Sequence, residues 1–356
     1  MRIGIPQEIK PLEGRVALIP DAAGELVLAG NEVYMQAGAG EKSGYPDSAY
    51  KARGIHILPD AATLYGRAQL IVKVKEPIAP EYGLLRPEHV LFSFLHLAAV
   101  PDLARTLKQK GLTALAFETV DVQGRLPLLA PMSEIAGRLA VQIGAHLLHA
   151  PQGGRGILLG GLPGTERGRV VVLGAGEAGG AAVATAAALG ADVTVFARSR
   201  DSLARMRQLD SNVTALHSYQ DAIAAAVAQA DLLIGAVLIP GSRTPHLVTR
   251  AMVRSMRPGT VLVDISVDQG GCIETIHPTD YENPTYIEEG VIHFGVTNMP
   301  GAVPRTATQA LSGSIAPYVA RLAQPGWEQV AALRSGINVQ GGRIVHPAVA
   351  LALPGL

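Results

Sequence analysis

Short apolar runs rich in β-branched residues recur along the first part of the chain, and turn-forming residues separate them. Four of these runs predict β-strands: Arg2–Ile5, Glu32–Gln36, Leu70–Val74 and Val90–Phe94. The interval Pro20–Ala29 predicts a helix that ends at Gly30. Strands that alternate with helices in this way are typical of an α/β domain with a largely parallel sheet.

A second series of the same kind begins near Val170. It predicts strands at Val170–Leu173, Leu232–Val237, Val261–Asp264 and Ile292–Val296. Between the two series, Met132–His149 predicts a long helix, with Ser133 as a candidate N-cap. The chain is therefore expected to contain two α/β assemblies rather than one.

The most specific local pattern is a buried strand, Val170–Leu173, that is followed by a GxGxxG run and by the alanine-rich helical segment Ala181–Ala191. This order is the context of a dinucleotide-binding fingerprint. Gly174 permits the tight turn, Gly176 lets the backbone approach a pyrophosphate, and Gly179 lets the helix pack close to the strand. The helix N-terminus offers N–H groups to the phosphates. A plain tight turn between strand and helix is the alternative.

The next strand, Ala191–Phe196, ends without the acidic residue that usually binds the ribose 2′-hydroxyl of NAD. Ala197 occupies that position, and Arg198, Ser199 and Arg200 follow it. Two guanidinium groups and a hydroxyl are able to hold a 2′-phosphate, so the sequence favours NADP(H). A solvated basic loop end is the alternative interpretation.

Several polar residues follow predicted strands, where ligands bind in open α/β sheets. Lys75, His96, Asp268 and Asn298 occupy such positions, and Arg15 lies in the polar loop that precedes the first helix. Each also has a purely structural interpretation: a solvated strand end, a core histidine, a turn former, a turn cap or a surface arginine. Together they supply cations for a carboxylate and titratable groups for proton transfer.

We therefore predict two Rossmann-like, doubly wound α/β domains with a cleft between them. Because the fingerprint lies in the middle of the chain, the first series of strands belongs to a different domain. Residues 131–305 are expected to form the dinucleotide-binding domain. Residues 1–130 and 306–356 are expected to form a discontinuous substrate and catalytic domain.

Composition narrows the function classes. The formal net charge is zero, so no basic field points to nucleic acid or to an anionic membrane surface. The apolar run 222–240 contains Gln229 and Asp231, which suits a helix and a strand better than a membrane span. The lone Cys272 allows no internal disulfide, and the N-terminus resembles a strand rather than a signal peptide. We expect a cytoplasmic protein with a buried thiol and no metal site.

The chain resembles the alanine dehydrogenases from residue 1 to about residue 350. Nine segments look like motifs of that family, in the same order: Arg15-Val-Ala-Leu, Gln36-Ala-Gly-Ala-Gly-Glu, Lys73-Val-Lys-Glu-Pro, Phe94-Leu-His-Leu-Ala, Leu128-Leu-Ala-Pro-Met-Ser-Glu, Gln152-Gly-Gly-Arg-Gly, Gly235-Ala-Val-Leu-Ile-Pro-Gly, Asp268-Gln-Gly-Gly-Cys and Asn298-Met-Pro-Gly-Ala-Val-Pro. The related transhydrogenase α-subunit shares the fold and is expected to lack the intact set of catalytic residues.

The resemblance implies a role for each residue that matches a motif. The enzyme would oxidise L-alanine to an imine and hydrolyse it to pyruvate and ammonia, with NAD(P)(H) as cofactor. Arg15 and Lys75 would bind the substrate, and His96 and Asp268 would transfer protons. The implied cofactor contacts beyond the fingerprint glycines and the segment around Ala197 are Ser133, Ser218, Val237 and Asn298. Family members are commonly hexamers, so a homo-oligomer is expected.

The chain departs from the family pattern at four places. Ala197 replaces an aspartate, Gly14 replaces an aromatic residue, Thr297 replaces an alanine, and Leu311-Ser-Gly-Ser replaces Leu-Thr-Asn-Ala. The first departure concerns the cofactor, and the others concern the substrate or the subunit contacts. Two alternatives therefore stay open: a relative that acts on another small 2-amino acid, and a non-catalytic nucleotide-binding protein of the transhydrogenase type.

Overall fold

The computed structural model describes residues 1–237 and 245–356. The described chain divides into two compact units. The first unit contains Met1–Met132 and Gly301–Leu356, and the second unit contains Ser133–Pro300. The chain thus leaves the first unit once and returns to it near its C-terminal end.

The first unit alternates strands and helices. Its elements are β1 (Arg2–Ile5), α1 (Pro20–Leu28), β2 (Glu32–Gln36), α2 (Asp47–Lys51), β3 (His56–Leu58), α3 (Ala61–Arg67), β4 (Leu70–Val72), α4 (Ala79–Tyr82), β5 (Val90–Ser93), α5 (Pro101–Lys110), β6 (Thr113–Ala116), α11 (Pro304–Leu322), α12 (Ala331–Gly336), β14 (Ile337–Gln340), β15 (Arg343–Ile344) and α13 (Pro347–Ala352). The strands form one sheet with the order β15-β14-β6-β5-β4-β1-β2-β3. Strands β1 to β6 run parallel, and β14 and β15 pair antiparallel at one edge.

The second unit has its own sheet. Its elements are α6 (Ala130–Leu147, which begins at the end of the first unit), β7 (Arg169–Leu173), α7 (Glu177–Ala188), β8 (Asp192–Ala197), α8 (Arg200–Arg207), β9 (Val213–His217), α9 (Gln220–Gln229), β10 (Leu232–Gly235), α10 (Arg250–Arg254), β11 (Val261–Asp264), β12 (Thr285–Glu288) and β13 (Val291–Phe294). The strand order among the described residues is β12-β13-β11-β10-β7-β8-β9. Neighbouring strands there are parallel except the edge pair β12 and β13.

The central strands of both sheets are buried because helices cover their faces, as parallel sheets require. Strand β4 is buried at every residue, and so are β10 and β11. In the first unit, Leu64 of α3, Leu91 of β5 and Leu107 of α5 belong to one core cluster. In the second unit, Leu173 and Leu233 pack with residues of α9 and β11. Each unit therefore has a hydrophobic core of its own.

The strand order within each sheet reverses once, and this reversal marks where ligands bind in doubly wound folds. In the first unit the reversal lies between β1 and β4, and in the second unit it lies between β7 and β10. The segments that follow these four strands therefore contain candidate functional residues. This architecture confirms the predicted α/β class of two doubly wound sheets.

Several predicted boundaries are corrected by the structure. Helix α6 begins at Ala130, so Ser133 lies inside its first turns and is not the N-cap. Helix α7 begins at Glu177, four residues before the alanine-rich run, because Gly176 already serves as the N-cap. Strands β4 and β5 end at Val72 and Ser93, earlier than predicted, although the backbone N–H of Phe94 still donates to the carbonyl of Val74 at 3.0 Å. In the part of the chain that the structure describes, no helix is long and apolar enough to cross a membrane.

Candidate active site

Arg15 lies in the loop that follows β1 and is only 3% exposed. Its Nε and Nη2 atoms donate to the two carboxylate oxygens of Glu13, at 2.8 and 2.6 Å. The backbone N–H of Arg15 adds a third bond to Glu13 at 2.9 Å, and Nη1 lies 3.2 Å from the sulfur of Met132. Two-point pairing with a carboxylate fixes the plane of a guanidinium group. Glu13 therefore holds Arg15 in one orientation, and Arg15 is not a surface residue.

The loop that contains Arg15 is hydrogen-bonded to the returning helix α11, which belongs to the same unit. The backbone N–H of Val16 donates to the hydroxyl of Thr308 at 3.1 Å, and that of Ile19 donates to the hydroxyl of Ser312 at 3.0 Å. Ser312 belongs to the Leu311-Ser-Gly-Ser departure, and it replaces a threonine. A serine hydroxyl makes the same bond, so this part of the departure preserves the contact.

Gly14 departs from the family pattern at a crowded place. A Cβ atom on Gly14 would lie 3.2 Å from the Cβ atoms of both Lys42 and Pro304, which is tighter than most real contacts. An aromatic side chain there would displace its neighbours in this chain. The glycine therefore matches its local surroundings.

Lys75 follows β4 and is 8% exposed, so it is not a solvated strand end. The next residue, Glu76, accepts a hydrogen bond from Lys10. Burial acts to raise the pKa of Glu76, but Lys75 and Lys10 bring that pKa below its usual value. Lys75 is thus a buried ammonium group that acts electrostatically on the carboxylate beside it.

Lys73 lies two residues before Lys75 and belongs to a buried ion cluster. Its ammonium group is 2.6 Å from Glu81 and 3.4 Å from Glu8, and the hydroxyl of Tyr65 donates to Glu81 at 3.0 Å. Burial alone would lower the pKa of Lys73, but the two carboxylates raise it. Glu8 also accepts the backbone N–H of Val74 at 2.7 Å. The cluster therefore anchors the backbone from which Lys75 extends.

His96 follows β5 in a left-handed backbone conformation, with φ +48°. Its ring lies parallel to that of Phe94, with an interplanar angle of 1° and a centroid distance of 5.7 Å. The side chain is 38% exposed, so His96 is not a core histidine. Glu118, which no sequence motif indicated, approaches this histidine from the neighbouring strand end.

The three fingerprint glycines lie where β7 passes into α7, as predicted, and the surroundings of the three differ. Gly174 has φ +104°, and a Cβ atom there would collide with the carbonyl oxygen of Ala236. A Cβ atom on Gly179 would collide with the carbonyl oxygen of Gly174. A Cβ atom on Gly176 would meet nothing within 4 Å. The fold itself therefore requires Gly174 and Gly179, whereas Gly176 leaves an open cradle in front of the α7 N-terminus.

Ala197 is the last residue of β8, and Arg198 follows it on the surface. Ser199 is the N-cap of α8, and its hydroxyl accepts the backbone N–H of Ser202 at 3.3 Å. Arg200 is thus the first helical residue rather than part of a loop. The end of β9 lies beside this segment, since Ser218 donates its backbone N–H to the carbonyl of Ala197 at 3.2 Å. Ala197, the basic residues and Ser218 are therefore neighbours at one edge of the sheet.

The segment after β11 is tied back to its strand by Asp264. This carboxylate accepts the backbone N–H groups of Ser266 at 2.8 Å and Cys272 at 2.7 Å. Burial raises the pKa of Asp264 and raises the pKa of the enclosed Cys272 thiol well above its usual value. Asp268 lies in the intervening 3₁₀ turn, Val267–Gln269, and is exposed. Asp264 therefore has a structural role, and Asp268 is the acid that reaches solvent.

Two further predicted contacts follow strands β10 and β13, which lie on either side of β11 in the second unit. Val237, after β10, donates its backbone N–H to the hydroxyl of Ser266 at 3.1 Å. Asn298, after β13, has φ +61°, an uncommon conformation for a residue with a Cβ. The rest of the segment Gly235-Ala-Val-Leu-Ile-Pro-Gly, from Leu238 onward, lies outside the described residues.

The predicted residues thus separate into two sets. Arg15, Lys75 and His96 belong to the first unit, on the segments that follow β1, β4 and β5. The predicted dinucleotide contacts and Asp268 belong to the second unit. Three carboxylates orient the first set: Glu8, Glu13 and Glu118, of which no sequence motif indicated Glu8 and Glu118. The Glu-Gly-Arg spacing was the one available signal, since a carboxylate two residues from an arginine can pair with it.

Comparison with known proteins adds independent evidence. Residues 4–136 match the family model "Alanine dehydrogenase/PNT, N-terminal domain", and residues 140–347 match "Alanine dehydrogenase/PNT, C-terminal domain". The alanine dehydrogenase of Bacillus subtilis (strain 168) is 48% identical over 98% of this chain and 94% of its own length. That of Methanococcus maripaludis is 46% identical over 99% of this chain and 96% of its own length.

Solved structures agree with these matches. An L-alanine dehydrogenase superposes with a TM-score of 0.95 and 50% identity, and 99% of each chain is covered. A transhydrogenase from Sinorhizobium meliloti superposes with a TM-score of 0.84 and 28% identity, covering 98% of this chain and all of the other. The similarity therefore extends over both units and over their connections.

Proposed function

Because this chain belongs to the alanine dehydrogenase/PNT family, we propose that it catalyses the reversible oxidative deamination of L-alanine to pyruvate and ammonium. The observation that carries the proposal is the pair of buried cations Arg15 and Lys75, on segments that flank the strand-order reversal of the first unit. A 2-amino or 2-oxo acid presents a carboxylate and an adjacent polar atom, which two oriented cations can bind together.

Arg15 and Lys75 have different roles in this proposal. The guanidinium of Arg15, oriented by Glu13, binds the substrate carboxylate. The compact ammonium of Lys75 binds the 2-oxo oxygen and stabilises the negative charge that develops there. Both groups are buried, so their electrostatic interactions are stronger than they would be in water.

His96 and Asp268 transfer the protons. Oxidation of the substrate requires a proton to leave the amine, and hydrolysis of the imine requires a base for water and an acid for the departing ammonia. Balanced, L-alanine, water and the oxidised cofactor give pyruvate, ammonium, the reduced cofactor and one proton. An imidazole and a carboxylate suit these tasks near neutral pH.

The second unit binds the nicotinamide dinucleotide, which accepts a hydride from the substrate Cα when it is bound. The residues present fit such a group, since Gly176 leaves open space before the N-terminus of the twelve-residue helix α7. Val237 and Asn298 would contact the nicotinamide, and Ser133 and Ser218 would offer hydroxyl groups to the dinucleotide. With the dinucleotide assigned to the second unit, the proposed substrate-binding residues Arg15 and Lys75 make the first unit the substrate domain.

We further propose that NADP(H) is the preferred cofactor. Ala197 leaves no carboxylate to repel a 2′-phosphate, and Arg198 and Arg200 are exposed beside it. The Ser199 hydroxyl accepts a bond as the N-cap of α8, which leaves its O–H free to donate to an anion. The α8 N-terminus adds a favourable dipole, and Asp201 in the same turn opposes it in part.

The wider biological setting is also a proposal. A homohexamer agrees with the family resemblance. A cytoplasmic location agrees with the buried Cys272 thiol, which forms no disulfide and has no need of an oxidising compartment. Light scattering coupled to size-exclusion chromatography measures the assembly. A mass close to that of a single chain would contradict the hexamer.

A panel of small L-amino acids, assayed with NAD⁺ and with NADP⁺, tests the catalytic proposal. We expect the highest kcat/KM for L-alanine, together with the reverse reaction of pyruvate and ammonium. Preference for another amino acid would favour the alternative substrate. Tight dinucleotide binding without turnover of any amino acid would favour the non-catalytic, transhydrogenase-like alternative.

A further inference from the structure

Glu118 and His96 occupy adjacent strand ends in the first unit. Strand β5 ends at Ser93, which pairs with Ala116 at the end of the parallel strand β6. His96 comes three residues after the first strand, and Glu118 comes two residues after the second, in the 3₁₀ turn Phe117–Thr119. The sheet therefore brings together two residues that lie 22 positions apart in sequence.

The carboxylate of Glu118 holds the backbone at His96. The backbone N–H of His96 donates to Glu118 Oε1 at 2.6 Å, and the backbone N–H of Leu95 lies 3.3 Å from both carboxylate oxygens. These bonds enclose the turn in which His96 adopts its left-handed conformation. Hydrogen bonds to a charged acceptor are stronger than neutral ones, so they offset the backbone strain of this turn.

The same carboxylate lies beside one particular nitrogen of the imidazole. Nδ1 of His96 is 3.8 Å from Oε1 of Glu118, while Phe94 stacks against one face of the ring. The ring is thus limited on one face and at one edge. This separation is beyond hydrogen-bond range, so the negative charge acts electrostatically: it favours a hydrogen on Nδ1, which leaves the lone pair of Nε2 available as a base.

We propose that Glu118 is the positioning residue for His96, and that it directs proton exchange with the substrate to Nε2. This inference rests on the proposed role of His96 in catalysis. Glu118 itself does not contact the substrate; it acts through the turn and the ring that it holds. A carboxylate that orients a catalytic histidine is the third member of the acid–base arrangement found in many hydrolytic sites.

A second histidine provides a natural comparison. Burial lowers the pKa of His346, and the charge of Glu118 opposes this shift, so the two groups lie within electrostatic reach of each other. Nδ1 of His346 is buried and has no hydrogen-bond partner among the described residues. Among the described residues the ion pair of Glu118 is with His96 and not with His346, so His346 is suited as a matched control. Asparagine is a good replacement there, because position 346 is the N-cap of α13.

The test uses two variants of the carboxylate in the full-length enzyme. Glu118→Gln keeps an oxygen that can accept the backbone N–H groups but removes the charge, and Glu118→Ala removes both. We expect Glu118→Gln to lower kcat about tenfold, which corresponds to ~1.4 kcal/mol, with little change in the KM for pyruvate. Glu118→Ala is expected to lose more activity and some thermal stability. His346→Asn is expected to keep the wild-type kcat.

A double-mutant cycle separates positioning from a general structural effect. If Glu118 acts through His96, the change Glu118→Gln has no further effect on kcat in a His96→Ala background. Assays at micromolar enzyme concentration keep a thousandfold loss of kcat measurable. A wild-type kcat for Glu118→Gln, or an equal loss with and without His96, would overturn the inference. A wild-type enzyme without dehydrogenase activity would instead contradict the proposed function.

Discussion

His96 and Asn298 share a backbone conformation that is uncommon for residues with a Cβ. Their φ angles are +48° and +61°, and each residue follows the carboxyl end of a parallel strand, β5 or β13. Such a conformation costs roughly 1–3 kcal/mol and persists where the surroundings hold it. Strained residues are concentrated at functional sites, so both residues are good candidates for direct roles in binding or catalysis.

The first residue-scale prediction concerns the proposed proton-transfer groups. We expect His96→Ala and Asp268→Asn each to lower kcat at least about 10²-fold, the usual contribution of a general acid or base. Both side chains are accessible, and neither supports a core, so the affinity for the cofactor is expected to stay nearly unchanged. Steady-state kinetics and fluorescence titration with the reduced cofactor measure the two quantities. Near wild-type turnover in both variants would refute the assigned roles.

The second residue-scale prediction concerns Ala197. We expect kcat/KM for NADPH to equal or exceed that for NADH in the wild-type enzyme. An aspartate at this strand end would bind the ribose hydroxyls and repel a 2′-phosphate, so Ala197→Asp is expected to shift the ratio toward NADH at least tenfold, or about 1.4 kcal/mol. The side chain is only partly buried, so the substitution can be accommodated.

Ala197→Asn is the matched control for this change. It has nearly the same size but no charge, and it is expected to shift the cofactor ratio less than aspartate does. Kinetics with both reduced cofactors, at equal pyruvate and ammonium, measure the ratios. A wild-type preference of tenfold or more for NADH would mean that Arg198 and Arg200 do not contact the cofactor.

At the level of secondary-structure elements, the three glycines at the β7–α7 junction allow the fold to be separated from binding. A Cβ atom at Gly174 or Gly179 collides with backbone oxygens, whereas one at Gly176 meets no atom. Gly176 also has φ −78° and ψ −161°, which an alanine can adopt. We therefore expect Gly176→Ala to lower the unfolding free energy by no more than about 1 kcal/mol, since alanine is a poorer N-cap than glycine. The same change is expected to weaken dinucleotide binding by an order of magnitude or more, because the methyl group would occupy the approach of the pyrophosphate.

Gly179→Ala is the comparison variant for that prediction. It is expected to destabilise the second unit, since helix α7 would have to move away from the turn. Urea unfolding and cofactor titration distinguish the two cases. Unchanged cofactor affinity in a folded Gly176→Ala variant would count against pyrophosphate binding at this turn.

The helix and strand boundaries illustrate which elements a sequence pattern predicts well. Strands β1 and β2 have the predicted ends, because Gly30 and the flanking turns delimit them clearly. Helix α6 begins earlier than predicted because Pro131 is tolerated in a first helical turn, so the serine two residues later was not the boundary. Strands β3, β9, β12 and β15, which lie at the edges of the two sheets, were not predicted, since short strands at the edge of a sheet depend on pairing with a neighbour.

For the molecule as a whole, two buried histidines are expected to make stability depend on pH. His89 accepts the backbone N–H of Arg86 at Nδ1, and its Nε2 is 3.0 Å from the carbonyl of Tyr65, so the ring is neutral with its hydrogen on Nε2. His293 is fully buried and bonded at both nitrogens. Burial lowers the pKa of each imidazole below its ordinary value.

A histidine with a lowered pKa stabilises the folded chain above the pKa of the unfolded chain, about 6.5, and loses this contribution as the pH falls. Between about pH 7.5 and 5.5 the unfolded chain binds protons that the folded chain does not. Each such group contributes up to about 1.4 kcal/mol per pH unit. We expect His89→Asn and His293→Asn each to show a flatter decline of unfolding free energy in urea over this range. Slopes identical to that of the wild type would refute the prediction.

The fold class, the family and the segments that contain the candidate residues follow from the sequence alone. Strand and glycine patterns are local, because side-chain periodicity and backbone constraints act over a few neighbouring residues. Family motifs are likewise short and ordered along the chain. Arg15, Lys75 and His96 could therefore be proposed as candidates from the order of residues and nothing more.

The groups that orient these residues are defined only by the folded chain. Glu118 reaches His96 because β6 lies beside β5, and Thr308 reaches Val16, 292 positions away in sequence, because the chain returns to the first unit. Glu8 reaches Lys73 and Val74 across the sheet in the same way. Contacts of this kind depend on the order of strands and on the return of the chain. No local pattern specifies either of these, so Glu8 and Glu118 were apparent only in three dimensions, whereas Glu13 lies two residues from the arginine that it orients.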